Sequence, residues 1–253
     1  MKALRLGIVH VLAMRRRLLA VGALCIVFLF AASAASAFLR DEHGDVHIDQ
    51  LFVVGGYPAA SAMLLIGWLI GRLPLIAVLV LMSGMIADDR SNGLARLTAV
   101  RPVSPIVVYG VRFALLATIT FLVSAIVMPL FDLLMLGDWA GPGTFVLILA
   151  YLLSYGSLLV FLSAWTRGDA WIALLLAILS ISWAALDRVG FLPVAPALAD
   201  AIGFLLPPQP ALFQLEGAFA DLEPIPWGAF LYCAGYGAFF LTLAAVSVAR
   251  REV

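Results

Sequence analysis

Polar positions along this chain are gathered into short clusters, and the stretches between them are almost wholly apolar. A helix rises about 1.5 Å per residue, so about 20 apolar residues cross the roughly 30 Å hydrocarbon core of a bilayer. The first run of that length is Leu18 to Leu39, which carries no charge. A second begins after Pro58 and ends at Ala87. Others cover Ile106 to Phe131, Thr144 to Trp165, Ala170 to Leu186 and Trp227 to Ala249. The pattern predicts an all-α membrane protein of one domain, residues 1–253, with six spans at about 18–39, 59–87, 106–131, 144–165, 170–186 and 227–249. Ahead of them, Leu4, Ile8 and Leu12 alternate with Lys2, Arg5 and the triplet Arg15 to Arg17, which predicts an interfacial amphipathic helix over 1–17.

Two stretches depart from the simple pattern. Arg72 stands 16 residues before Asp88, or about 24 Å along a helix, near the interface opposite Asp88. It reads either as a side chain snorkelling to headgroups or as a contact for an anionic substrate. Arg72-Leu73-Pro74 is too short to turn a hairpin, so the apolar residues before it extend the same helix, with Pro74 as its kink. Between the fifth and sixth runs, 187–226 is rich in proline and punctuated by acids. It is expected to be an outer re-entrant segment.

Composition agrees with a lipid-facing exterior. The chain is 64% hydrophobic and only 12% charged, whereas a soluble domain is about a quarter charged. Formal net charge is zero, so no field favours nucleic acid as a partner. Cys25 and Cys233 lie inside apolar runs and offer no disulfide framework or metal spacing.

Orientation follows from the basic residues. With the N-terminus inside, Lys2, Arg5, Arg15, Arg16, Arg17, Arg90, Arg96, Arg101, Arg167, Arg250 and Arg251 face the cytoplasm, and only Arg40 and Arg188 lie outside. Both termini are therefore expected in the cytoplasm. The competing reading of the N-terminus is a cleavable signal ending at Ala35-Ser36-Ala37, but its apolar run is longer than the 7–15 residues of a signal core. Arginine far outnumbers the single lysine, a usage that points to a GC-rich bacterium and hence a bacterial plasma (inner) membrane.

The one large polar excursion on the cytoplasmic side is Ile86 to Arg112, IADDRSNGLARLTAVRPVSPIVVYGVR. Asp88 and Asp89 end a span, and Gly93 allows a turn. Leu94, Leu97 and Val100 oppose Arg96 and Arg101, and Pro102 to Pro105 open the next helix, where proline is tolerated. Such a piece lies along the membrane surface and presents a face to a cytoplasmic protein.

This stretch resembles the type-2 ABC transporter permeases, the membrane subunits of ATP-driven exporters. Asp89 and Arg90 match that family's acidic-basic pair, and Gly93 its glycine. Leu94 and Leu97 match its leucines, Pro102-Val103-Ser104 its corner, and Arg112 its later basic position. Asp89 in place of glutamate, Arg101 before the proline and Pro105 depart from the pattern. Leu205 to Gly217, LLPPQPALFQLEG, resembles the family's proline-led hairpin before the last span. The resemblance implies that Arg90 to Val100 is a coupling helix seated in a separate ATP-binding subunit, and that a second permease copy or a relative completes the path. Asp89, Arg90, Gly93, Leu94, Arg96, Leu97, Arg101 and Pro102 would form that coupling site.

The chain holds no Gly-rich loop followed by Lys and Ser/Thr, and its only lysine is Lys2, so ATP hydrolysis is expected from a partner chain. No cofactor is expected. His43 and His47 in the acidic loop 41–49 are spaced to share a cation on a helix, but Gly44 breaks helix there, and a solvated loop is the better reading. His10, His43 and His47 all lie outside the spans, which removes the usual groups for intramembrane hydrolysis. A secondary transporter without an ATPase partner is the alternative function. Tyr232 and Tyr236 on the last span are candidates to line a path together with Arg72, against a plain packing role. Trp139, Trp165, Trp171 and Trp227 are expected at the interfaces.

Overall fold

A computed structural model describes residues 2–39, 71–91, 104–135, 139, 141–188, 196–220 and 224–251. Among them every regular element is helical. Helix α1, Lys2–Ala13, is followed after a turn at Met14 by α2, Arg15–Leu39. A core helix α3, Leu73–Met82, leads through four turn residues into α4, Ala87–Ser91. Then come α5, Pro105–Met135, and a long helix made of α6, Gly143–Tyr151, a π-helical segment Leu152–Gly156, and α7, Ser157–Trp165. Last are α8, Asp169–Arg188, two short helices α9, Pro196–Leu205, and α10, Gln209–Ala220, and α11, Trp227–Arg251.

Five of these helices are long and apolar enough to cross a membrane: those beginning at Arg15, Pro105, Gly143, Asp169 and Trp227. Large apolar side chains stand exposed along them, among them Ile26 and Phe30 on α2, Leu122 and Ile126 on α5, Leu175 on α8, and Leu231 and Phe239 on α11. Such faces need an apolar surrounding, which fits a multi-pass membrane protein. Trp139, Trp165, Trp171 and Trp227 are all exposed. Trp165 and Trp171 flank the turn into α8, while Trp227 opens α11.

Helix α3 is the inverse of its neighbours. Leu73, Ala77, Val78, Leu81 and Met82 are fully enclosed, because α2, α5, α6, the π segment, α7 and α8 all pack against it. The described part of the second predicted span is thus a short, largely buried rod, with Ile76, Leu79 and Val80 half-buried. Pro74 stands in its first turn, where a missing N–H is harmless. The helical run is interrupted at Arg72, just before it, and again at Ser83 to Ile86, with Gly84 at φ 64°.

Helix α1 lies along α5, where Gly7 faces Val111 and Leu115. Helices α9 and α10 are each about 15–18 Å long, half a bilayer's depth. The turn between them is buried at Leu206, Pro207 and Pro208, and Ser180 of α8 donates a 2.7 Å hydrogen bond to the Pro207 carbonyl. The turn therefore sits inside the bundle, about 11 residues along α8 from Asp169.

Where α11 meets the π segment the two backbones nearly touch. A methyl on Gly237 would lie 2.4 Å from the Leu153 carbonyl oxygen. On the other side of the segment, Gly156 gives room to the Met82 sulfur of α3.

Candidate functional site

The break after α3 leaves backbone groups that no helix satisfies, and side chains from four helices satisfy them. The Gly84 N–H donates to Asp169 Oδ2 at 2.6 Å. The Ile86 and Ala87 N–H groups both donate to Ser163 Oγ, at 2.9 and 3.1 Å. The Ser83 carbonyl accepts from Arg17, and the Met85 carbonyl accepts from Arg112 Nη1 at 2.8 Å. The joint is thereby fixed to α2, α5, α7 and α8 at once. Helical bonds resume with Asp88 N–H to the Gly84 carbonyl and Arg90 N–H to the Ile86 carbonyl.

Its charges are fixed too. Arg112 Nη1 also donates to Asp89 Oδ2 at 2.9 Å, with both side chains about 95% buried. Arg17 pairs with Asp88 at 2.8 Å in a more exposed setting. Arg90, next to Asp89 in sequence, donates to the Ala164 carbonyl. Two candidates 23 residues apart, Asp89 and Arg112, are thus brought together, and α4 is anchored through both. The remaining coupling candidates, Gly93, Leu94, Arg96, Leu97, Arg101 and Pro102, lie outside the described residues, as do His43 and His47.

A second polar cluster lies at the other end of α3, about 18 Å away. Arg72 precedes the helix and is 8% exposed, so it does not snorkel to an interface. Its guanidinium donates to Glu216 Oε2 at 3.1 Å and sits 5.9 Å from the centre of the Phe213 ring, both on α10. Tyr151 donates to the other Glu216 oxygen, and Tyr155 donates to Gln209 Oε1 at 3.0 Å. The two tyrosine rings stack, with centroids 6.1 Å apart. The hairpin of α9 and α10 is therefore tied at its tip by Ser180 and Tyr155 and along its second arm by Arg72 and Tyr151.

Tyr232 and Tyr236 belong elsewhere. They line a groove of about 420 Å³ on α11, closed on its far side by Phe204 of α9. Arg72 is not part of it. The three path candidates thus form two sites.

Sequence reasoning passed over Glu216, Tyr151, Tyr155, Gln209, Ser163 and Asp169. Glu216 had a signal: a lone carboxylate in an apolar half-helix and a lone arginine in an apolar run imply each other. Ser163 and Asp169 had none, because they serve a backbone break that the periodicity does not show. Among the described residues no three His, Cys, Asp or Glu side chains gather as metal ligands. No family model, curated protein or solved structure matches the chain.

Proposed function

We propose that this chain is the membrane-spanning permease subunit of an ATP-driven exporter of the type-2 ABC class, crossing a bacterial plasma (inner) membrane six times with both termini in the cytoplasm. The observation that carries the reading is the anchorage of α4. The helix leading into 92–100 is clamped to the bundle by the buried Asp89–Arg112 pair and by the joint at Ser83 to Ile86. Force applied to a segment held in this way moves α3 and its neighbours rather than a slack loop. Asp89, Arg90 and Arg112 then transmit, while Gly93, Leu94, Arg96, Leu97, Arg101 and Pro102 meet a separate ATP-binding subunit. A second copy or a related permease completes the path.

Crosslinkers placed singly at Leu94, Arg96 and Leu97 in the native membrane are expected to capture a soluble ATPase. Arg96→Glu with Arg101→Glu is expected to leave ATP hydrolysis running without transport. Absence of any ATPase among the captured proteins, or accessibility of 92–100 from the exterior only, overturns the assignment.

The partly buried Arg72–Glu216 pair favours one other reading, a secondary transporter, since charges inside a membrane bundle often mark ion or proton routes. Transport that follows an ion gradient and ignores vanadate selects that reading.

A further inference from the structure

The corner between α1 and α2 gathers positive charge that the chain does not neutralise. Residues 1–39 contain Lys2, Arg5, Arg15, Arg16 and Arg17 and no acid. Arg17 turns inward, donating to the Ser83 carbonyl and pairing with Asp88 at 2.8 Å. Met14, in the corner itself, accepts from Arg112 Nη2 at 3.6 Å. These contacts fix how the corner faces and leave Arg15 and Arg16 exposed on its outer side, as Arg5 is on α1. None of these three arginines has an ion pair among the described residues. The acids around the nearby joint are already engaged. Asp88 is held by Arg17, Asp89 by Arg112, and Asp169 by the Gly84 and Ala170 N–H groups.

Apolar surface adjoins these charges. Arg5, Ile8, Val9 and Leu12 are spaced three, four and seven residues apart from the first, so they share one face of α1. Val9 and Leu12 on that face are 61% and 64% exposed, and Leu19, just past the arginines on α2, is 71% exposed. The opposite face of α1 is closed, with Val11 buried and Gly7 against Val111 and Leu115 of α5. Helix α5 has 31 residues, about 46 Å, and so exceeds the roughly 30 Å of hydrocarbon by about 15 Å. Val111 and Leu115 stand about 9 and 15 Å from its start, a level that suits a helix lying at the hydrocarbon edge. Unneutralised cations beside exposed alkyl groups match a ligand with a negative head and an alkyl tail. An acidic soluble protein would answer the arginines and leave Val9, Leu12 and Leu19 uncovered. A zwitterionic lipid would cover those side chains, but its own cation offsets its phosphate.

We propose that the α1–α2 corner binds anionic phospholipid of the leaflet it faces, with Arg15 and Arg16 at the headgroup phosphate and Val9, Leu12 and Leu19 along the acyl chains. The proposal rests on α2 as a membrane-crossing helix and needs no ATPase partner, so it stands or falls separately from the exporter reading.

The test reconstitutes the full chain in mixed phosphatidylcholine–phosphatidylglycerol vesicles. A trace of either lipid carries a diazirine on one acyl chain, and labelled peptides are mapped after illumination. An arginine near an anionic surface is worth about a fivefold preference. Label on 8–19 is therefore expected to be about fivefold or more denser from phosphatidylglycerol than from phosphatidylcholine, while the two lipids label Ile26 and Phe30 of α2 equally. High salt is expected to shrink that excess in the unaltered chain. Arg15→Gln with Arg16→Gln is expected to bring the two lipids to near parity on 8–19, with hydrogen exchange at Ile86 and Ala87 unchanged. Arg15→Lys with Arg16→Lys is expected to keep most of the excess. Equal labelling of 8–19 by both lipids in the unaltered chain means an unselective lipid annulus and overturns the proposal. So does an excess that high salt leaves intact, or one that survives the glutamine variant. Crosslinks from Leu12 to a second copy of the chain, with no lipid label, overturn it as well.

Discussion

At one end of α3, charged and hydroxyl side chains hold a broken backbone; at the other end, about 18 Å away, side chains hold each other. The joint at Ser83 to Ile86 draws Arg17, Arg112, Ser163 and Asp169 from four separate helices. The cluster at Arg72 ties one helix pair, α9 and α10, to the rest through Glu216, Gln209 and the Pro207 carbonyl. The first arrangement is expected to spread a displacement over four helices through one stretch of backbone, and the second to pass it on through the side chains that hold a hairpin.

The contrast is broken most severely at Arg112. Arg112→Ala leaves Asp89 charged and buried and strips the Met85 carbonyl, so a loss of about 3–5 kcal/mol is expected in detergent unfolding, with Asp89→Ala in the same chain recovering part of it. Glu216→Ala is expected to lose roughly 2 kcal/mol, less because the Glu216 side chain is 23% exposed. Here the location of the effect matters more than its size. Hydrogen exchange is expected to quicken in 196–220 while Ile86 and Ala87 stay protected. Faster exchange at both ends would erase the proposed division.

Gly84→Ala comes next, at roughly 1–2 kcal/mol for a side chain held at positive φ. The new methyl would also lie 2.4 Å from Asp88 Oδ2 and push that carboxylate off Arg17. Ser163→Ala deprives two buried N–H groups of their acceptor, for about 1–2 kcal/mol, read as faster exchange at Ile86 and Ala87 alone. Arg17→Ala is expected to be smallest, below about 1 kcal/mol for the pair with Asp88, whose side chains are 31% and 45% exposed, and that part of its effect is expected to shrink in high salt.

Long helices were legible from hydrophobic run length alone. The predicted 106–131, 144–165, 170–186 and 227–249 fall inside Pro105–Met135, Gly143–Trp165, Asp169–Arg188 and Trp227–Arg251. The second run was harder, because an apolar stretch looks the same whether it is continuous or interrupted. Gly84 could be read as a weak point, but the side chains that stabilise the break come from positions as distant as Arg17 and Asp169. Pro74, the obvious breaker, stands in the first turn of α3, just after the interruption at Arg72 that separates α3 from the helical Gly71. In the site, Asp89 and Arg112 were both singled out, yet their direct pairing depends on how α4 and α5 meet. Arg72 was noticed alone, because its partner sits 144 residues later in a segment read for its prolines.

The π segment at Leu152–Gly156 sets the phase of the long helix that contains it. A regular α-helix turns about 100° per residue, so Ser163 would stand about 120° around the axis from Tyr151. One extra residue taken up in the wider turn brings that angle to about 20°. Tyr151 can then reach Glu216 while Ser163 caps the break beside α4 from the same side of the rod. Straightening the segment into regular α-helix with no residue removed would leave a well-formed apolar helix that can serve one of these partners and has turned away from the other, whereas deleting one residue from it would keep both in phase.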